Sequence, residues 1–349
     1  MSILLNILFL IIGLFLLIKG SDVFVDAGTN IGKIFKMSEV LIGLTIVCVG
    51  TGLPELILSI NGSISGNSNL VIGNIVGSNI FNMCVILGLI CILNPLKLLR
   101  QTVRKDMHMS LVSSIALFVL LLDNAKNHFG RKELSRADAI ILLLFFAIFI
   151  YYTFYEITGY LRDRREKKYL EQKEKAKSKG TKKHIEEKIE TNTYTNKDLK
   201  CLFKNILIAI IGIAMVHLGA EITVQNTVKI ASYFNVSQTF ISIIVIAIGT
   251  SLPELTTSYA AMKKNRINIA IGNLIGSNMF NTLCVLGISS LINPIALEGT
   301  YLLIDCVVFI LVCLVMVLFT KRKPEISRIE GFSLLSIYIL YIVYVLYRR

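Results

Sequence analysis

Polar chemistry is scarce in this chain of 349 residues, in which charged side chains make up only 17% and there are four histidines and five prolines. The histidines, His108, His128, His184 and His217, are too scattered for a histidine metal cage. No His-Glu-x-x-His helix and no Gly-x-x-x-x-Gly-Lys-Ser/Thr loop occurs, which removes metalloprotease and ATP-driven pump chemistry. The seven cysteines, Cys48, Cys84, Cys91, Cys201, Cys284, Cys306 and Cys313, are odd in number and never spaced Cys-x-x-Cys, so they read as small apolar residues. No nucleophile stands with a base, so no enzyme is visible.

Hydrophobic residues, by contrast, make up 54% of the chain, and the mean hydropathy is +0.69. They fall in blocks long enough to cross a hydrocarbon core about 30 Å thick. Spans are predicted at 3–18, 38–60, 69–92, 107–122, 138–160, 203–220, 237–261, 268–292, 301–319 and 331–347. The first of these has no basic start and no small-residue cleavage site, so it reads as a retained helix rather than a signal peptide. The net charge of +13 does not point to nucleic acid, because the basic residues sort by loop. With the N-terminus outside, only Lys126, Arg131, Lys132, Arg136, Lys229, Arg348 and Arg349 of the 36 Lys and Arg stay outside. The expected location is the cell membrane, with the Lys/Glu-rich linker at 161–202 cytoplasmic and solvated.

The chain is also a duplication. Gly50-Thr51-Gly52-Leu53-Pro54-Glu55-Leu56 recurs as Gly249-Thr250-Ser251-Leu252-Pro253-Glu254-Leu255. Gly73-Asn74-Ile75-Val76-Gly77-Ser78-Asn79-Ile80-Phe81-Asn82 recurs as Gly272-Asn273-Leu274-Ile275-Gly276-Ser277-Asn278-Met279-Phe280-Asn281, in the same register. Five helices per copy invert the second copy in the membrane. The expected fold is therefore an all-α polytopic membrane protein of ten helices: one repeat at 1–160, the linker at 161–202, and the inverted repeat at 203–349.

Each copy carries an acid inside a span. A carboxylate at mid-membrane costs about 2.5 to 3.5 kcal/mol on insertion scales, and none of the second, third, seventh and eighth spans carries an internal Lys or Arg to pair with Glu55 or Glu254. A bound cation is the remaining partner. Pro54 and Pro253 remove a backbone donor and free carbonyls near Gly50 and Gly249, loosening the turns that hold Cys48 and Ala247. Hydroxyls of Thr51, Thr250, Ser251, Ser78 and Ser277 and the amide oxygens of Asn82 and Asn281 complete an all-oxygen set suited to hard cations. Ser78 and Asn82 share a helical face, as do Ser277 and Asn281, and Thr51 and Glu55. The paired glycines Gly73/Gly77 and Gly272/Gly276 predict close approach of the third and eighth spans to the second and seventh. Ser63 is placed in the loop between the second and third spans.

At these residues the chain resembles the cation/calcium antiporter superfamily, most of all its prokaryotic sodium/calcium exchanger branch. The resemblance runs over nearly the whole chain and implies Ca²⁺ leaving the cytoplasm against Na⁺ by alternating access, with the first and sixth helices sliding. A three-for-one exchange makes the cycle electrogenic. It further implies Glu55 and Glu254 as central ligands, Thr51, Ser78, Thr250, Ser251 and Ser277 as hydroxyl or carbonyl ligands, and backbone carbonyls of Cys48 and Ala247, with Asn82 and Asn281 facing the cavity. Two positions depart from the pattern: Gly52 replaces a common serine, and Asn281 replaces the usual aspartate, which goes against potassium cotransport. The expected partners are Ca²⁺, Na⁺ and the lipid bilayer, with no cofactor, no nucleic acid and no obligate protein partner. A Ca²⁺/H⁺ antiporter using the same glutamates and, from another class, a cation channel are the alternatives. A channel asks for a continuous polar path, whereas inverted repeats with broken helices favour alternating access.

Overall fold

The structure, a computed structural model, describes residues 3–97, 105–126, 133–155, 196–234, 249–296 and 301–347. Its helices are α1 (Ile3–Ile34), α2 (Glu39–Thr51), α3 (Leu53–Ile64), α4 (Ser68–Leu93), α5 (Asp106–Lys126), α6 (Arg136–Tyr155), α7 (Asn196–Tyr233), α8 (Leu252–Lys263), α9 (Ile267–Ile292), α10 (Tyr301–Arg322) and α11 (Arg328–Tyr347). Among the described residues, 7 helices are long and apolar enough to cross a membrane, or 8 if the bent pair of α2 and α3 counts as one span. The expected seventh span at 237–261 begins outside the described residues, and α8 is its second half. The chain folds as an all-α membrane protein of two inverted five-helix repeats.

Burial separates an inner layer from an outer one. The apolar windows of α4 and α9 are 78% and 83% buried, whereas those of α1 and α7 are 22% buried and turn most of their apolar surface outward. An apolar exterior around a polar centre is the arrangement that a hydrocarbon solvent selects. Of the glycines expected to bring helices together, Gly272 and Gly276 do so between α2 and α9, facing Gly43, which the motif reading did not single out, whereas a Cβ on Gly73 or Gly77 would meet nothing within 4 Å among the described residues. A Cβ on Gly43 would lie 2.7 Å from the Asn273 nitrogen, and one on Gly276 would lie 3.0 Å from the Cys48 side chain.

The duplication is visible in how loops pair. Strand β1 (Leu96–Lys97), after α4, pairs antiparallel with β4 (Glu325–Ile326), before α11. Strand β2 (Glu133–Leu134), before α6, pairs with β3 (Ile295–Ala296), after α9. Each two-stranded ribbon therefore ties one repeat to the other, in mirrored roles. The turns before α4 and α9 also match, with Gly66 at φ 71° and Asn265 at φ 57°. These left-handed positions suit glycine and asparagine best.

Three expectations need correction. The first and sixth spans, expected at 3–18 and 203–220, belong to helices of 32 and 38 residues. Lys19 and Lys33 thus lie within α1, and the last residues of the expected linker, 196–202, are already part of α7. The polar second half of α1 stays helical because neighbouring elements satisfy it: Ser21 Oγ donates to Thr256 Oγ1 at 2.8 Å and Asn30 Nδ2 to Asn205 Oδ1 at 3.1 Å. Lys264, in the turn between α8 and α9, adds ion pairs to Asp26 at 2.8 Å and Asp22 at 3.5 Å. Thr51 and Glu55 do not share one continuous helix, since the chain bends by 46° between α2 and α3. Ser63 is not in a loop. It is buried in α3 and donates to the Ser289 carbonyl at 2.6 Å.

α1 and α7 pack backbone to backbone through a two-fold glycine contact. A Cβ on Gly20 would lie 2.8 Å from the Val216 nitrogen, and one on Gly219 would lie 2.6 Å from the Leu17 nitrogen. Backbone cannot swing aside as a side chain can, so the helices must part. Gly20→Leu is expected to destabilise the protein by about 1–3 kcal/mol, read as a lowered melting temperature in detergent. An unchanged melting temperature would contradict this packing.

Candidate cation site

The two breaks in the helices set the site. Pro54 and Pro253 fall in the first turn of α3 and α8, where a missing N–H costs nothing within the helix, and the preceding chain turns at Gly52 and Ser251. Glu55 and Glu254 follow directly, so both carboxylates sit in the first turn of a helix, where the dipole favours negative charge. The wider π turns lie at Gly43–Val47 in α2, Asn82–Ile86 in α4 and Phe280–Val285 in α9. Asn82 opens the second of these and Asn281 is the second residue of the third.

Glu55, Glu254, Thr51, Ser78, Ser251, Ser277, Asn82 and Asn281 are all buried to within 1% of complete burial. Ser78 Oγ is 3.4 Å from Glu55 Oε1 and 2.9 Å from Ser251 Oγ, which joins the two repeats. Thr51 Oγ1 is 3.5 Å from Ser277 Oγ. Glu254 lies within electrostatic reach of Glu55. Thr250 is half-buried and donates to Asn74 Oδ1 at 3.2 Å. The Cys48 carbonyl accepts the Gly52 N–H at 2.9 Å, and the Cys48 thiol donates to the Leu44 carbonyl. Ala247 lies outside the described residues. The ten expected ligands other than Ala247 therefore fall on α2, α3, α4, α8, α9 and the turn that leads into α8.

The acceptors here outnumber the donors. Among the described residues, Glu55 Oε2, both carboxylate oxygens of Glu254, and the Oδ1 atoms of Asn82 and Asn281 are buried with no hydrogen-bond partner of good geometry. Buried oxygens left unpaired in this way each cost about 1–3 kcal/mol, and more when charged. All carry negative partial or full charge, so a bound cation compensates them together. Among the described residues no three His, Cys, Asp or Glu side chains group to hold a metal. A site for a hard cation must therefore draw on the hydroxyl and amide oxygens.

Residues that the motif reading passed over make the frame. Asn273 is shared between the copies: its Oδ1 accepts from Thr51 Oγ1 at 3.2 Å and its Nδ2 donates to Ser258 Oγ at 3.0 Å. Asn74 takes the mirrored role toward Thr250. The signal was present in the sequence, since Asn74 and Asn273 occupy the same place in the repeated motif. Gly52 differs from Ser251 for a local reason: a Cβ there would lie 2.8 Å from the Phe280 ring, which packs edge-on to Phe146 with centroids 6.0 Å apart.

Known proteins resemble this chain along nearly its whole length. The model of the family described as sodium/calcium exchanger protein matches residues 5–155 and 204–347. The sodium/calcium exchanger MaX1 of Methanosarcina acetivorans is 31% identical over 96% of both chains. The inner membrane protein YrbG of Escherichia coli is 29% identical over 95% of this chain and 94% of its own. The solved structure of the sodium-calcium exchanger NCX_Mj soaked with 10 mM Na⁺ superposes with a TM-score of 0.77 at 29% identity, over 98% of this chain and 99% of that one. With its duplicated motifs, its inverted repeats and this match along both halves, the chain belongs to the sodium/calcium exchanger protein family.

Proposed function

We propose that this protein is a secondary antiporter that carries Ca²⁺ out of the cytoplasm against inward Na⁺, by alternating access to one central site. The observation that carries the reading is the set of buried acceptor oxygens on Glu55, Glu254, Asn82 and Asn281 that no donor among the described residues meets. Two carboxylates balance one divalent ion, and Thr51, Thr250, Ser251, Ser78 and Ser277, with carbonyls of Cys48 and Ala247, supply neutral oxygens for Na⁺ or for a partly dehydrated Ca²⁺. Membership of the sodium/calcium exchanger family, and likeness to proteins named as such, supports Na⁺ over H⁺ as the coupling ion. No cofactor and no obligate protein partner enter the cycle. The first and sixth helices, α1 and α7, slide past a site built by the repeats at 1–160 and 203–349, which the linker at 161–202 joins. The distribution of Lys and Arg supports a cell-membrane orientation with the N-terminus outside and that linker cytoplasmic.

Two membrane-facing features suit alternating access. α1 and α7 touch the inner layer on one side only and hold each other through small residues, so the pair can shift as a unit. The part-exposed charged tether from Lys264 and Arg266 to Asp22 and Asp26 of α1 is made of pairs that singly contribute about 0–1 kcal/mol, so each parts at small cost.

Purified protein in sodium-loaded vesicles is expected to take up Ca²⁺, and to stop when choline replaces Na⁺. Uptake driven by a pH gradient without Na⁺ would instead identify a proton-coupled exchanger. An imposed membrane potential is expected to change the rate, because the exchange moves net charge.

Glu55→Gln and Glu254→Gln are each expected to lower Ca²⁺ flux by more than about a hundredfold. Removing one partner of a buried charge interaction costs about 3–5 kcal/mol, whereas the side-chain volume barely changes. Both variants should remain monodisperse on gel filtration. Normal flux in either would rule out a shared central site.

Asn281→Asp adds a protonatable group beside two carboxylates, and like charges in one cavity compete for protons. Flux by this variant is expected to fall more steeply with acid than flux by the parent, and the parent is expected to need no K⁺. Superimposable pH profiles, or a K⁺ requirement in the parent, would show that residue 281 does not face the ion.

A further inference from the structure

Asn82 and Asn281 serve a cation only if the oxygen end of each amide faces it. The two ends of an amide are nearly equal in size, so packing does not choose between them; hydrogen bonds must. The structure supplies those bonds crosswise. Asn82 Nδ2 donates to Asn278 Oδ1 at 3.1 Å, and Asn278 Nδ2 donates in turn to the Asn79 carbonyl at 3.3 Å, so that Asn278 can offer only its oxygen to Asn82. Asn281 Nδ2 donates to Asn79 Oδ1 at 3.3 Å, and Asn79 Nδ2 donates to Thr282 Oγ1 at 2.8 Å. Both relays end at a fully buried Oδ1, one on Asn82 and one on Asn281, that has no protein partner.

We propose that Asn79, Asn278 and Thr282 are positioning residues for Ca²⁺ recognition, and that they hold the Asn82 and Asn281 amides with oxygen toward the cation, each repeat orienting the ligand of the other. The inference rests on the central-site reading above and adds to it the residues that set ligand polarity. A flipped amide would present N–H hydrogens to the ion, turning an attraction into a repulsion without altering the cavity's shape. The arrangement is not fully symmetric. Met83 occupies the place in the first copy that Thr282 takes in the second. Asn278 is held by a carbonyl that can only accept, whereas Asn79, and through it Asn281, is held by a hydroxyl that can accept or donate, so the second relay is the less firmly set of the two.

The crosswise pattern gives a test that simple damage to packing does not imitate. Ca²⁺-dependent flux, with apparent KM and maximal rate measured separately, and Ca²⁺-dependent thermal stabilisation of the purified full chain are the readouts. Asn278→Ala is expected to raise the apparent KM for Ca²⁺ by about tenfold, the equivalent of one net hydrogen bond's worth of orientation. In an Asn82→Ala background it should have no further effect, whereas with Asn281→Ala the two effects should multiply. Asn79→Ala should show the mirror pattern, silent with Asn281→Ala and multiplying with Asn82→Ala. Thr282→Val, close in shape and least disturbing to folding, should raise KM with little change in maximal rate, and Thr282→Ser should behave as the parent.

Multiplying effects in all four combinations, or a Thr282→Val protein with unchanged Ca²⁺ affinity, would overturn the positioning role. Glu55→Gln separates that failure from failure of the site itself. If Glu55→Gln loses Ca²⁺ affinity while the crossed pairs multiply, only the positioning inference falls. If Glu55→Gln keeps its Ca²⁺ affinity, the central site falls and the inference with it.

Discussion

Two carboxylates buried in a membrane protein, with no lysine or arginine beside them among the described residues, are the constraint from which the rest of this structure follows. Charge at that depth is tolerated when it is paired, and here the protein declines to supply the pair. Every nearby device reduces the cost without cancelling the charge. The helix breaks put Glu55 and Glu254 on positive helix ends, Ser78 reaches one carboxylate oxygen, and the inner helices α4 and α9 exclude lipid from the gap. A site that neutralised itself would be more stable and would have no use for an ion.

Close packing serves the same end. Glycines let α2 and α9 meet at backbone distance, so that short side chains such as Thr51, Ser277 and Asn273 can touch across the repeat boundary. Longer residues at Gly43, Gly272 or Gly276 would move hydroxyls out of reach of one another. The polar centre is thus a product of small residues placed where the helices cross, and the apolar exterior is a product of the solvent that surrounds it.

Much of this was legible in the sequence. The repeated motif located the acids, the prolines and the close contact at Gly272 and Gly276, because each depends on a local rule that a sequence carries openly. Helix ends were less legible: hydropathy ended the first span at residue 18, but Ser21, Thr29 and Asn30 stay helical because Thr256, Val25 and Asn205 satisfy them. Those partners come from distant parts of the chain or from the helix itself, and no window of hydropathy weighs them. Ser63 reads as a loop residue for the same reason, since its partner carbonyls on Ser289 and Asn293 belong to the other repeat. The supporting asparagines were hidden in a different way, as members of a motif whose role depends on which end of an amide points inward.

The two copies have the same residues at the mirrored Asn/Ser pair but do not use them alike. Asn273 reaches Ser258 Oγ at 3.0 Å, whereas the corresponding atoms, Asn74 Nδ2 and Ser59 Oγ, are buried and unpaired. Equal chemistry in unequal states is what a see-saw looks like when one end is down. If the halves exchange conformations, the first copy closes its bond as the second opens, and the inventory of hydrogen bonds at the start and end of the stroke is unchanged. A device built on a duplicated chain can therefore travel between two faces of a membrane with little intrinsic preference for either, leaving the ion gradients to decide which way it leans.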